Sequence, residues 1–163
     1  MNIFALSEDP QKAAAYHCDK HVNKMLLEGT QICNTSLHSR NIGEYAFYQP
    51  THKNHPCNEW ATNSWGNFTW LLKLIHYLNE EFMKRYNHDT PHKSYQKICD
   101  NWFEDGVSVL PIVDEYRTQF VQCMPEDVQR INPITAYRTY YKTYKSNEDW
   151  FSFEKASRYP DWL

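Results

Sequence analysis

The sequence predicts an all-α fold, an irregular helical bundle with long loops in a single domain. Three observations lead there. Only 4 glycines occur in 163 residues, too few for a β-rich fold dense in tight turns. Helix starts are written three times as a capping residue followed by proline: Asp9-Pro10, Asn54-His55-Pro56 and Asn132-Pro133. Behind each start, apolar residues recur at helical spacing.

The elements follow in order. Residues 2–6, NIFAL, form a short apolar lead. Ser7 or Asp9 caps a first helix that runs to about Leu37, with Ala14, Cys18, Val22, Met25, Gly29 and Cys33 on its apolar side. Residues 39–55 have no clear period and read as a long connection, a kind of segment that often carries function. A second helix runs from Pro56 to about Arg85 and is apolar over much of its girth, which makes it central. A third covers roughly Tyr95 to Glu104 and stops at Gly106. "VSVLP" reads as a short extended piece, and a further helix is expected over about 112–122. The last helix starts at Pro133 and ends near Lys145. The aromatic tail after it is expected to dock on the body.

Composition narrows the function classes. A net charge of -3 gives no global basic footprint for nucleic acid, so a polyanion would have to meet a local patch. The 5 cysteines are scattered and contain no CxxC, the usage of a reduced, intracellular chain. "MNIFALSEDP" lacks the basic start of a signal peptide, and no stretch approaches the roughly 20 apolar residues of a membrane span. A cytoplasmic protein with no membrane partner is expected.

The chemistry concentrates in "AYHCDKHVNKM", Ala15 to Met25. At about 100° per residue, setting His17 at zero puts His21 near +40°, Lys24 near −20°, Lys20 near −60° and Glu28 near +20°. These five form one ladder beside the core face, while Asp19 falls about 200° away. Three readings compete. The face is solvated, with Lys24 and Glu28 as an i,i+4 pair and the histidines as core-edge hydrogen bonders. Or His17 and His21, with His52 and His55 of "THKNHP", hold zinc or iron for a hydrolase or nuclease. Or the clustered cations lower the pKa of Lys20 or Lys24, which then acts as an amine nucleophile while Glu28 or a histidine moves protons.

Two other segments carry a bias. In "AYRTYYKTYK", Tyr137, Tyr140, Tyr141 and Tyr144 fall on one side and Arg138, Lys142 and Lys145 on another, a pattern suited to phosphate contact and base stacking, or to a tyrosine core stripe with solvated cations. In "CNEWATNSWGNF", Asn63 and Asn67 are polar groups in an aromatic helix and want partners, from a pocket or from loop backbone.

With these segments laid out, the chain resembles the small all-α pyrimidine-dimer DNA glycosylase/AP-lyase family. The likeness lies in "NIFALSEDPQKAAAYHCDKHVNKM", in "KNHP" ahead of the second helix, in "NFTWLLKLIHYLNEEFMKRY" and in "AYRTYYKTYK". The block "YHCDKHVNKM" also looks like one in small proteins of phage genomes. The resemblance implies a glycosylase-like helical domain over residues 1–163 that flips a damaged base and cleaves its N-glycosidic bond without a metal or other cofactor. It implies an amine nucleophile at residue 2 after Met1 removal, here Asn2, and a first-helix carboxylate that corresponds to Asp19 or Glu28. His17, Lys20, His21 and Lys24 stand where the family has arginines.

The leading expectation is therefore a DNA-acting hydrolase or lyase, excising or modifying a damaged or modified pyrimidine. Lys20, Lys24, Glu28, Asp19, His17 and His21 are the candidate catalytic residues. His52, His55, Asn63, Asn67, Arg138, Tyr141 and Lys142 are the candidate substrate contacts. The rivals are the zinc or iron hydrolase built on four histidines and a non-enzymatic viral binding module.

Overall fold

The structure, a computed structural model, describes residues 1–113 and 115–163. It is mostly helical, with one two-stranded hairpin. The helices are α1 (Pro10–Ala15), α2 (Asp19–Ser39), α3 (Pro56–Asn63), α4 (Trp65–Tyr86), α5 (Lys93–Trp102) and α6 (Pro133–Tyr140); the hairpin pairs β1 (Phe103–Glu104) with β2 (Val107–Ser108) in antiparallel register. No helix among the described residues is long and apolar enough to cross a membrane.

The starts are where the cap–proline pairs put them. The Asp9 carboxylate accepts the amides of Gln11 and Lys12, His55 Nδ1 accepts that of Cys57, and the Asn132 side chain accepts that of Thr135. α2 and α4 cross at the centre. There Gly29 lets the helices close: a Cβ at that position would meet Ile75 Cγ1 at 2.9 Å. The 39–55 connection is real, with one 3-10 turn at Gly43–Tyr45, and the Asn34 side chain holds it by accepting the amides of Phe47 and Tyr48. Gly106 turns the hairpin at φ +79°, where glycine is free of Cβ strain.

Three expectations fail where side chains take over backbone groups that a continuous helix would satisfy itself. The expected first helix is two helices. Between them, Cys18 is extended at φ −66°, ψ 161°. The Arg85 guanidinium, buried in α4, takes the carbonyls of Ala15 and His17 at 3.0 and 2.7 Å, so the end of α1 is capped from outside. The expected second helix breaks at Ser64, which is extended and caps α4 through Asn67 N–H. The expected helix over 112–122 does not form among the described residues, and Asp114 within it lies outside them. Here the chain runs across α3 and α4, and their side chains satisfy its backbone. Trp60 Nε1 donates to Gln119 O at 2.9 Å, and Asn67 Oδ1 accepts Thr118 N–H at 2.8 Å.

The last helix ends as the pattern predicts. α6 passes into a turn of π-helix over Tyr141–Lys145. Behind it Trp150, Phe151, Phe153 and Trp162 of the tail pack against the core.

Candidate functional site

The break at Cys18 takes His17 out of the five-residue ladder and leaves Lys20, His21, Lys24 and Glu28 on α2. His17 lies in the break and points into the core; its Nδ1 donates to Ala13 O at 2.7 Å. His21, on α2, is also buried, stacked on Phe4 with ring centroids 4.5 Å apart, and its Nδ1 meets the Tyr141 hydroxyl at 2.5 Å. Burial lowers both imidazoles from 6.5, His17 to about 4 and His21 to about 2, and both are neutral at pH 7. Lys20 and Lys24 point the other way, into solvent. Lys20 Nζ sits 4.8 Å over the Trp150 ring.

Asp19 is structurally committed. Its carboxylate takes Arg85 at 3.2 Å, the Ser152 hydroxyl at 3.1 Å and the Lys155 amide at 3.0 Å. Arg138 donates from Nε to Leu6 O and lies between the Tyr16 and Trp162 rings. Tyr141 is fully buried, and its burial raises the hydroxyl well above its ordinary pKa. Asn67 spends its amide on Trp60 O and Thr118. Asn63 and Lys142 are exposed. His52 is exposed at φ 48°, its ring bonded to Thr51 Oγ1.

The four histidines do not converge. His17 and His21 have ring centroids 6.4 Å apart inside the Phe4–Tyr141 cluster, whereas His55 lies against Cys57 and Cys123. The rival reading of one clamp on all four fails because His17 and His21 are buried in the core, away from His55.

A different constellation forms where the chain's first residues fold back on α2. The Met1 nitrogen is 3.7 Å from Glu28 Oε2, and the Asn2 amide donates to the same oxygen at 3.1 Å. Lys24 Nζ holds the other carboxylate oxygen at 3.3 Å. The Glu28 side chain is 14% exposed, so the carboxylate is largely shielded. Asn2 makes the fold-back possible: its Oδ1 accepts the amides of Ile3 and Phe4, and its Nδ2 donates to Cys123 O at 2.8 Å. Phe4 completes the bend at φ 36°, a left-handed value uncommon for a residue with a Cβ. The bend turns the apolar lead onto His21 while keeping the first nitrogen on Glu28.

His55, Cys57 and Cys123 border this pair. Burial, the charge at Met1 N and His52 all lower the His55 pKa, so its ring is neutral. The two sulfurs are 3.3 Å apart. The hydrogen bond from the Cys57 thiol pulls Cys123 below its usual pKa, and the same bond, with burial, pushes Cys57 up. On the other flank stands a basic and aromatic patch. Lys145, Lys24 and Lys20 all lie close enough to His21 to act on its charge, and Lys145 sits 5.0 Å over Tyr140. An open groove of about 870 Å³, lined in part by Asp9, Trp70, Lys73, His76, Tyr95 and Arg117, lies elsewhere and takes no residue from this constellation.

Of the candidates read from sequence, the structure brings Glu28, Lys24 and His55 to one place. Sequence reasoning missed Cys57, Cys123 and Arg85. The signal for Cys57 was present in "NHPC", where a histidine cap precedes cysteine by two residues. Cys123 carried none, because its place depends on the path of 115–123 across α3 and α4. The chain matches no protein-family model, no curated protein and no solved structure.

Proposed function

We propose that the protein excises a damaged or modified pyrimidine from DNA, with the amine that begins the chain as nucleophile and Glu28 as its carboxylate. That amine is on Met1, or on Asn2 where Met1 is removed. One observation carries the reading: the first backbone nitrogens are held against a shielded carboxylate, at 3.7 Å from Met1 and 3.1 Å from Asn2. An amine with a carboxylate partner beside a C1′ carbon has the groups needed to displace a base and form an imine.

The steps balance. Glu28 accepts the proton that the ammonium must lose. The amine lone pair then bonds to C1′ as the C1′–N bond breaks, and that bond pair leaves with the base, which takes up a proton. The sugar ring opens to an imine joined to the chain, and water returns the amine. Glu28 hands the ammonium proton on to the departing base, and the carboxylate so restored stabilises the positive charge on the sugar. Lys20, Lys24 and Lys145 supply phosphate contacts, and Trp150 and Tyr140 supply ring faces for an extruded base or its neighbour. The kinship with the pyrimidine-dimer glycosylase family belongs to this same proposal.

The test is excision on defined duplexes: one with a cyclobutane pyrimidine dimer, one with a hypermodified pyrimidine and one with an abasic site. Wild-type protein is expected to release base from the first or second and to be trapped on DNA by borohydride. Glu28→Gln is expected to slow release by about 100-fold or more, the usual scale for a group acting on the proton or charge of a transition state. Absence of both base release and a trapped adduct on all three duplexes overturns the proposal.

A further inference from the structure

His55, Cys57 and Cys123 offer three ligand atoms that all lie within 4.8 Å of one another. They come from two parts of the chain: His55 is the cap of α3 and Cys57 is in its first turn, while Cys123 is at the end of the non-helical 115–123 segment. We infer that these three residues form a binding site for a thiophilic divalent cation of the zinc class. The site lies beside the Met1–Glu28 pair, but the inference does not rest on the excision reading.

The donor set suits such an ion. Two sulfurs and an imidazole are the ligands of tetrahedral zinc sites, and three protein ligands leave a fourth position for water or a carboxylate. With Zn–S near 2.3 Å, a tetrahedral edge between sulfurs is about 3.8 Å. The present 3.3 Å is about half an ångström short of that edge, a small opening for two side chains in thiol contact.

The scaffold is firm on both sides. Cys57 is fully buried in a helix. The Cys123 backbone is pinned by Asn2 Nδ2 on its carbonyl at 2.8 Å and by the Tyr137 hydroxyl on its amide at 3.4 Å. His55 is the ligand that adapts: its Nδ1 now accepts the Cys57 amide at 3.1 Å, and ligation exchanges this cap for a metal bond.

Charge decides between this site and a histidine clamp. Two thiolates cancel a dication, so the nearby Met1 nitrogen and Lys24 are not opposed by a net positive centre. A neutral four-histidine site beside Lys20 and Lys24 would leave both charges of the metal uncompensated. Binding involves no electron transfer: the metal takes lone pairs from two sulfurs and one ring nitrogen, and the thiol protons go to solvent.

The test uses the full untagged chain, reduced and freed of metal, then titrated with Co²⁺ and Zn²⁺. The expected result is one equivalent of Co²⁺ with an intense sulfur-to-cobalt charge-transfer band, displaced by Zn²⁺. Cys123→Ser and Cys57→Ser should each lose most of that band, and His55→Ala should weaken Co²⁺ affinity at least tenfold. Cys99→Ser, in α5, should keep the band in full. Circular dichroism of each variant separates lost ligation from lost folding, and Cys123→Ser, on the half-buried segment, is the variant expected to fold. A band that is absent, or that survives in folded Cys123→Ser, overturns the inference. So does a Cys57–Cys123 disulfide in the isolated protein that, once reduced, still takes up no metal.

Discussion

His17 and His21 illustrate how burial converts a functional-looking residue into a structural one. Both are neutral in the folded chain, with pKa values lowered by burial to about 4 and about 2. In the unfolded chain both titrate near 6.5. Above that value neither form binds a proton, and their contribution to stability is complete. As pH falls below it, the unfolded chain takes up protons that the folded chain refuses. Stability is then lost through the window from about 6.5 to 4, by roughly 1.4 kcal/mol per pH unit for each histidine. Urea unfolding at pH 7.5, 6 and 5 is expected to show this slope, and His21→Phe is expected to make it shallower. A stability independent of pH across that range contradicts the assignment.

Glu28 shows the converse case. The sequence placed it on the same helix face as the histidines, and periodicity got its direction right. What periodicity could not show is that the chain's first residues return to it. That contact depends on the Asn2 side chain and on Phe4 at positive φ, neither of which has a spacing signature.

At the scale of elements, what was legible was local. The cap–proline pairs at Pro10, Pro56 and Pro133 set helix starts through contacts within three residues, and all three hold. The break at Cys18 was not legible because a remote group makes it; the one at Ser64 is a local serine cap, to which remote Glu115 adds by accepting Trp65 N–H. The remote group at Cys18 is Arg85. From α4 it binds the carbonyls of Ala15 at the end of α1 and of His17 in the break, the Asp19 carboxylate in the first turn of α2, and Glu81 on its own helix. Its side chain is 1% exposed. Replacing it with methionine keeps the stem but leaves a buried carboxylate and two carbonyls without their partner. Arg85→Met is therefore expected to cost about 3–5 kcal/mol in urea unfolding. A loss below about 1 kcal/mol contradicts the role given to it.

At the scale of the molecule, the cysteines were read as scattered, and along the chain they are. The fold brings Cys57 and Cys123 together across 66 positions by laying the 115–123 segment over α3 and α4. The net charge of -3 was likewise a fair warning. Duplex binding would have to rest on the local patch of Lys20, Lys24 and Lys145 rather than on the whole surface. Each of these lysines that is neutralised is expected to shallow the salt dependence of DNA affinity by roughly 0.9 in a plot of log affinity against log salt. Lys20→Ala and Lys145→Ala keep the Met1–Glu28 pair intact and test this directly. Unchanged slopes in both would place the DNA contact elsewhere.

The central claim is that the chemistry belongs to the first nitrogen of the chain and not to a lysine of α2. Borohydride reduction on a damaged or abasic duplex, followed by digestion and mass spectrometry, locates the sugar adduct on a peptide. The account predicts the adduct on the α-nitrogen of Met1 or Asn2, and its loss when a short extension is placed ahead of Met1. An adduct on Lys20 or Lys24, or one that persists in the extended chain, contradicts it.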